Sequence, residues 1–577
     1  MSGVVLFLAN QRRRFRSSEA ALILLAIAVG LGAGLMTILL GGAAHLLQSL
    51  FYGPDIEHLS AASSIAPWRL LALPFGGMLL ATLAFWLRKR ARAPVDVVEA
   101  NALHGGLIPV RDSFLVCGQT LISNGAGASV GLEAAYAQMG GGLASVVGRW
   151  LRLRRNDLRV LVGAGAGAAL GAAFGAPLTG AFYAFEIVIG AYTPAAIAPV
   201  AAAALAAVVV ARAAHMPAYQ IALPSAHAIV TFDYFIYAAL GLFCALLGIV
   251  LMRLVTLIEL RVRASRIPDL ARPVVGGLLL IPIAWLSPQS LSAGHGAMHL
   301  DLTLQVGLGF LVAILLLKIA ASAISLGFGF RGGLFFASLF LGSLIGQIFA
   351  AAVALVPDLP PIDPTDAALV GMAAMAVSVV GGPVTMAMLV LEATHDFALT
   401  GVTIAAVLCA STFVRELFGF SFSTWRLHTR GETIRSARDV GWVKALTAGR
   451  MMRRGVPTIE ASTSLAEFQR RFPLGSTGRV VLINADATYA GLIPTALAYA
   501  ATAEAEAEVR SIAILPEQAL LPEQDVVSVM KMFDACETDD LAVIDDDRAV
   551  LGIVSEKYVR RRYAEEIEKA QRELFGE

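Results

Sequence analysis

Residues 129–140 read SVGLEAAYAQMG, with one glutamate in an otherwise uncharged stretch. The segment GLEAAYAQMG at 131–140 returns as GLFFASLFLG at 333–342, with the Gly, Leu, Ala and closing Gly in register at an offset of 202 residues. A second pair, APLTGAFYAFE at 176–186 and GPVTMAMLVLE at 382–392, matches at Pro, Thr, Ala and Glu at an offset of 206. Two independent matches at nearly one offset indicate an internal duplication. Repeats that carry interrupted apolar helices are the sequence sign of a membrane transporter whose binding site lies where the repeats meet.

Both copies begin alike, NGAGASVG (124–131) before the first and LGFGFRGG (326–333) before the second. Glycine runs continue a helix poorly, and the apolar helix starts just after each run. The pattern therefore predicts two half-helices whose N-termini lie inside the membrane. Such an end carries unpaired N–H groups and partial positive charge, and it binds an anion without any cationic side chain. Glu133 falls in the first turn of one of these helices, where a carboxylate is favoured. One reading makes it a tethered substitute for a permeant ion, released on protonation; intramembrane ionisable groups default to function. The plainer reading makes it a helix-start glutamate that satisfies N–H groups.

The rest of the chain fits a membrane setting. Of its 577 residues 57% are hydrophobic and 15% charged, and the mean hydropathy is +0.72. Apolar stretches recur up to about residue 420; some are long enough to span a bilayer, which takes about 20 residues. Others are short or broken by Gly and Pro, which at membrane depth is tolerated only around a protein-lined cavity. The net charge of +1 implies no nucleic acid or other bulk polyanion as partner. The four cysteines form no CxxC or Cys/His spacing, so neither disulfide nor zinc is expected. No nucleophile triad, P-loop or dinucleotide fingerprint occurs in a plausible context, so no enzyme is expected. Basic clusters at 12–16, 88–92, 149–155 and 261–266 are expected on the cytoplasmic face. MSGVVLFLANQRRRFRSS at the start has its apolar part before the arginines, the reverse of a secretory signal, and reads as an amphipathic helix on that face.

Composition changes near residue 430, which places a membrane domain at 1–430 and a cytoplasmic α+β domain at 431–577. In the latter, VVLINADATYAGLIP (480–494) and LAVIDDDRAVLGIVS (541–555) superimpose with Gly491 on Gly552. Each reads as strand, polar turn, strand and helix start, a paired repeat with units at 446–500 and 508–565.

These residues, taken in order, resemble the CLC family of chloride channels and chloride/proton antiporters. GAGASVGLEAAYAQMGGGLASVVGRWLRL is similar to the family stretch built around G-R-E-G-P, and its gating glutamate falls on Glu133. GFRGGLFFASLFLG resembles the G-x-F-x-P stretch, which puts Leu334 and Phe335 where backbone N–H groups meet the central anion. FGAPLTGAFYAFE and VGGPVTMAMLVLEATHDF resemble two further helices. The resemblance implies an all-α polytopic membrane domain of inverted repeats, a homodimer with one pathway per subunit, in the cell's inner membrane with cytoplasmic N-terminus. The C-terminal pair resembles two CBS domains. Such pairs sometimes bind adenine nucleotides, but Tyr558 stands where the ribose-binding Asp is expected, so a structural role without cofactor follows.

Several positions depart from the family pattern. Leu132, Ala134 and Ala135 replace the arginine and the Gly-Pro of the gate motif. Ser423 replaces the pathway tyrosine, so a hydroxyl remains but no ring closes the inner end. The inner G-S-G-I-P loop falls near RARAPVDVV (90–98), with Arg92 or Ala93 nearest its serine and no Ser or Thr present. Arg331 is a cation placed to attract an oxyanion through its planar fork, or to pair with an acid or lipid phosphate. Glu186 matches a conserved glutamate, and Ile187 takes the antiporters' proton position.

The implied site is thus Glu133 as gate, with the backbone of Gly131, Leu132, Ala134, Ala135, Gly333, Leu334, Phe335, Phe336 and Ala337, and the Ser423 hydroxyl, around the ion. Chloride is the implied anion, with nitrate, bicarbonate or fluoride open, and with channel or proton-coupled exchanger open. Two other classes compete. A CBS-regulated cation transporter needs acids gathered together, whereas Glu133, Glu186, Glu392 and Glu416 are scattered in sequence. A non-transporting membrane sensor gives the paired half-helices no task. Glu186 and Glu392 end equivalent helices and read as structural hydrogen-bonding groups.

Overall fold

The computed structural model describes residues 19–54, 59–62, 64–86, 94–216, 229–298, 307–357, 359–428, 446–500 and 505–575. The N-terminal segment, the basic cluster at 88–92, Arg92, Ala93 and the join at residues 430–431 lie outside them. Contacts divide the chain into two compact units, Met1–Asp439 and Val440–Glu577.

The first unit is helical: α1 Glu19–Tyr52, α2 Ala72–Trp86, α3 Val97–Leu103, α4 Val110–Gly125, α5 Glu133–Trp150, α6 Arg155–Phe174, α7 Pro177–Tyr183, α8 Pro194–Ala213, α9 Asp233–Ala264, α10 Arg272–Leu286, α11 Leu308–Gly327, α12 Phe335–Val353, α13 Pro364–Val380, α14 Pro383–Thr394, α15 Phe397–Leu417 and α16 Phe422–His428. Among the described residues eight helical spans are long and apolar enough to cross a membrane. Leu24, Phe235, Trp86 and Leu286 are exposed on outer helices, as lipid-facing side chains must be. By contrast α6 and α12 are largely enclosed by protein.

The duplication is visible in the packing. On α5 a Cβ added to Gly140 would lie 2.1 Å from the Gly165 carbonyl oxygen of α6; on α12 one added to Gly342 would lie 2.2 Å from that of Gly371 on α13. The contacts are mutual, Gly165 against Gly140 and Gly371 against Gly342, each at 2.4 Å. These two pairs stand at the same offsets, 202 and 206, as the sequence matches. Close backbone approach is the use that small residues find in membrane helix packing.

Two apolar runs, residues 158–190 and 366–394, are each broken into two helices. The 158–190 run ends α6 at Gly175 (φ +69°) and restarts at Pro177; the 366–394 run breaks at Gly381 and Gly382 (φ +89° and +72°) and restarts at Pro383. Proline suits a first helical turn, whose N–H groups are unpaired in any case. Each exposed helix start is closed by a glutamate from the other repeat. The amides of Val384 and Thr385 donate to Glu186 at 3.2 and 2.8 Å, and the Thr385 hydroxyl at 2.7 Å. In return the amides of Leu178 and Thr179 donate to Glu392 at 2.8 Å each, and the Thr179 hydroxyl at 2.7 Å. A carboxylate at a helix N-terminus satisfies both hydrogen bonding and the helix dipole. Glu186 lies in a single π-helical turn, Ala184–Ile189, that continues α7.

The second unit repeats itself as well: β1 Thr458–Glu460, α17 Leu465–Arg471, β2 Arg479–Ile483, β3 Tyr489–Pro494 and α18 Thr495–Ala500, then α19 Val526–Cys536, β4 Asp540–Ile544, β5 Val550–Ser555 and α20 Glu556–Phe575. Leu482 pairs with Gly491 as Val543 pairs with Gly552, and both hairpins shift register at the next residue. Ile459 runs parallel to Leu482, and Leu520 makes the same parallel bridge to Val543. Ser464 caps α17 and Asp525 caps α19 from matching positions. Val481, Tyr489, Leu492 and Ala542 join the two cores. The overlaid strands thus have equivalent hydrogen-bond partners.

The glycine pairs make a stability test. Gly140→Ala and Gly342→Ala each press a methyl into a backbone carbonyl and should destabilise by about 1–3 kcal/mol, read as a lower melting temperature in detergent. Gly118→Ala, which meets nothing within 4 Å, should leave it unchanged or raised.

Candidate anion pathway

The two half-helix entries meet directly. Gly131 and Gly333 form an antiparallel bridge, the Gly131 amide donating to the Gly333 carbonyl at 2.9 Å and the Gly333 amide to the Gly131 carbonyl at 3.2 Å. The segments feeding the bridge are tied reciprocally. The Ser129 amide donates to Ser325 Oγ, and the Arg331 amide to Ser123 Oγ, both at 3.0 Å. Asn124 Nδ2 holds the Val130 carbonyl at 2.8 Å. Chain that is neither helix nor sheet is thereby satisfied at membrane depth, as an apolar surround demands.

Glu133 is the first residue of α5, yet its carboxylate lies on the start of α12. The Phe336 amide donates to Glu133 Oε1 at 2.9 Å. The side chain is buried, and Oε2 accepts no hydrogen bond among the described residues. A Cβ at Gly131 would fall 2.0 Å from Oε2, and one at Gly333 3.0 Å from it. The glycines therefore make the notch that admits the carboxylate. An anionic group on the unpaired N–H groups of a helix start is the arrangement the macrodipole favours.

Beside it lies a cavity of about 120 Å³, lined by Glu133 and Ala134, by Arg331, Gly333, Leu334 and Phe335, by Phe422, Ser423 and Arg426 of α16, and by Asp96, Gln138 and Tyr183. So Glu133, Ala134, Gly333, Leu334, Phe335, Ser423 and Arg331 come together around one space, although they come from widely separated parts of the chain.

Other expected donors are already engaged. The amides of Gly131 and Gly333 face each other in the bridge, and the Ala135 amide donates to the Leu132 carbonyl at 2.8 Å. This corrects the expectation that these three cradle an ion: two N–H groups are needed to hold the repeats together and one to close the first turn of α5. The Phe336 amide holds the carboxylate, and Leu132, Ala135, Phe336 and Ala337 are not on the cavity wall. An aromatic ring lines the cavity from outside the motif that carries Ser423. Tyr183 of α7 lines the cavity, its ring 6.3 Å from that of Phe335. Arg331 Nη1 donates to Gln119 Oε1 at 3.2 Å.

A family model described as voltage gated chloride channel matches residues 76–415. The chain belongs to this family. A curated relative, the putative chloride channel protein ClcB-like of Ralstonia nicotianae, is 28% identical over 390 residues, covering 65% of this chain and 89% of that protein. The fold matches a slow cyanobacterial Cl⁻/H⁺ antiporter (TM-score 0.60, 24% identity, 71% of this chain and 97% of that one). It also matches a eukaryotic CLC transporter (TM-score 0.61, 18% identity, 96% of this chain and 98% of that one). The membrane unit is thus a multi-pass CLC-type fold in a family of channels and transporters.

A residue outside the motifs also faces the cavity. Asp96 lines the cavity and caps α3, its Oδ1 accepting from the Glu99 amide at 2.8 Å. The signal was the D-V-V-E spacing at 96–99, a capping pattern, in a loop where a hydroxyl was sought. The acids of the competing cation reading are not gathered. Glu133, Glu186 and Glu392 serve three different helix starts, and among the described residues no group of three or more His, Cys, Asp or Glu side chains is placed to hold a metal.

Gly131→Ala tests the notch. The added methyl collides with Oε2, so a structure of this variant should show the carboxylate withdrawn beyond hydrogen-bond reach of the Phe336 amide. A carboxylate still at about 2.9 Å would mean that the glycine does not shape the site.

Proposed function

We propose that the chain carries a small inorganic anion, chloride foremost, through this cavity, and that Glu133 is its protonatable gate. The observation that carries the reading is the Glu133 carboxylate seated on the Phe336 amide at the start of the opposite half-helix. There it takes the place and the charge of a permeant anion. While ionised it competes with the ion; once protonated it loses its attraction to the helix start and swings out, and the N–H group becomes available. Ser423 offers a hydroxyl from α16, and Arg331 adds positive charge to the cavity wall. Family membership, and relatives whose names describe chloride channels and Cl⁻/H⁺ exchange, support the same assignment.

The same reading places the protein in the inner membrane as a homodimer, with the basic ends of α5 and α9 and the C-terminal unit on the cytoplasmic side. We assign that unit as a CBS pair. The strict repetition of strand register and caps supports this, as does a fold match to a eukaryotic CLC transporter that extends over 96% of the chain. Tyr558 argues for a structural pair without bound nucleotide.

Reconstituted flux tests the gate. In wild type, anion efflux should rise as pH falls, because protonation empties the helix start. Glu133→Gln mimics the protonated state, so efflux should persist and become flat with pH. Reversal potentials taken with and without a pH gradient then report whether protons move with the ion. Unaltered pH dependence in Glu133→Gln removes Glu133 from the gate.

A further inference from the structure

Lys318 of α11 is fully buried at membrane depth. An ammonium there is costly and is retained where its charge has a use. Its Nζ donates to the carbonyls of Ser290 and Ser292 at 3.2 and 2.8 Å, and it lies 5.8 Å from the centre of the Phe340 ring. These contacts solvate the charge but do not neutralise it.

The surroundings locate its counterpart. Phe340 and Phe336 are four residues apart on α12, about one turn along the same face. The segment that supplies the two carbonyls runs along that face: Gly294 packs on the Phe340 ring, and the His295 ring stacks on Phe336 with centroids 3.4 Å apart. The Phe336 amide holds Glu133. The Phe340 ring beneath the ammonium and the Phe336 amide that holds the carboxylate are thus one turn apart on α12, and the two charges act on each other. Arg331 also lines the cavity beside Glu133.

We propose that Lys318 is the fixed counter-charge of the Glu133 gate, a positioning residue that favours the ionised carboxylate in its seat and so sets the pH at which the pathway opens. This rests on the reading of Glu133 as gate. It accounts for a lysine that no motif marks, and for a buried charge whose hydrogen-bond partners among the described residues are the carbonyls of Ser290 and Ser292. The Ser292 hydroxyl accepts from Asn124 Nδ2, which also holds the Val130 carbonyl. The ammonium is therefore anchored in the same network that aims the first half-helix. Other titratable or charged groups face Glu133: Tyr136 on its own helix, Tyr183 from α7, and Asp96, Arg331 and Arg426 around the cavity. His295 adds a titratable ring on the shared α12 face.

The experiment is anion efflux from neutral-lipid vesicles against pH. Lys318→Met removes the charge, protonation of Glu133 becomes easier, and the midpoint of activation should move up by on the order of one pH unit. Lys318→Arg should keep the midpoint near wild type. Glu133→Gln and the double variant Glu133→Gln/Lys318→Met should both be flat. Should Lys318→Met not fold, Lys318→Gln retains a donor for the Ser290 and Ser292 carbonyls while dropping the charge, and it should shift the midpoint likewise. A folded Lys318 variant with an unmoved midpoint, alongside a flat Glu133→Gln, overturns the role of Lys318 and leaves the gate standing. pH dependence that survives Glu133→Gln and vanishes with His295→Asn transfers the switch to His295 and overturns both.

Discussion

Two backbone hydrogen bonds between Gly131 and Gly333 hold the membrane unit's central arrangement in register. Each joins chain that has left one helix and not yet begun the next, within the buried interior of the unit. A buried amide left unpaired there would cost about 1–3 kcal/mol, so the copies of the repeat supply each other's partners. With the bridge made, the starts of α5 and α12 are fixed side by side. A side chain at the first position of one then reaches the N–H groups of the other.

The same reciprocity extends outward. Ser129 and Arg331 use each other's serines, Glu186 and Glu392 close each other's helix starts, and Gly140 with Gly165 packs as Gly342 with Gly371 does. Each interaction crosses or repeats about one pseudo-two-fold relation, so a duplicated sequence builds a site at its own seam. The site itself breaks the symmetry. Glu133 corresponds to Phe335, and that single difference gives one half-helix the carboxylate and leaves the other to receive it.

Much of this was legible because the decisive signals are local. Glycine runs before apolar helices, and two offsets that nearly agree, specify the duplication, the interrupted helices and the place of Glu133. Glu186 and Glu392 were readable as structural for the same reason. What stayed hidden depends on distance through the fold. Nothing in the run around Lys318 says that its side chain turns inward to the carbonyls of 290 and 292. The breaks at Gly175 and Gly381 are masked by apolar runs that look continuous. Asp96 sits in a loop searched for a hydroxyl, although a carboxylate caps α3 equally well, and Tyr183 reaches the cavity from a helix other than the one searched for a ring. Motifs also cannot say which amides a neighbouring strand has already taken, and that is why Gly131, Gly333 and Ala135 were misassigned as ion donors.

The mutual glycine contacts carry a mechanical consequence. Helices that touch backbone to backbone at Gly140–Gly165 and Gly342–Gly371 have no compliant side-chain layer between them in which to slide. The frame around the cavity is therefore stiff. The gate proposed at Glu133 asks no more of such a frame than rotation about the bonds of one side chain.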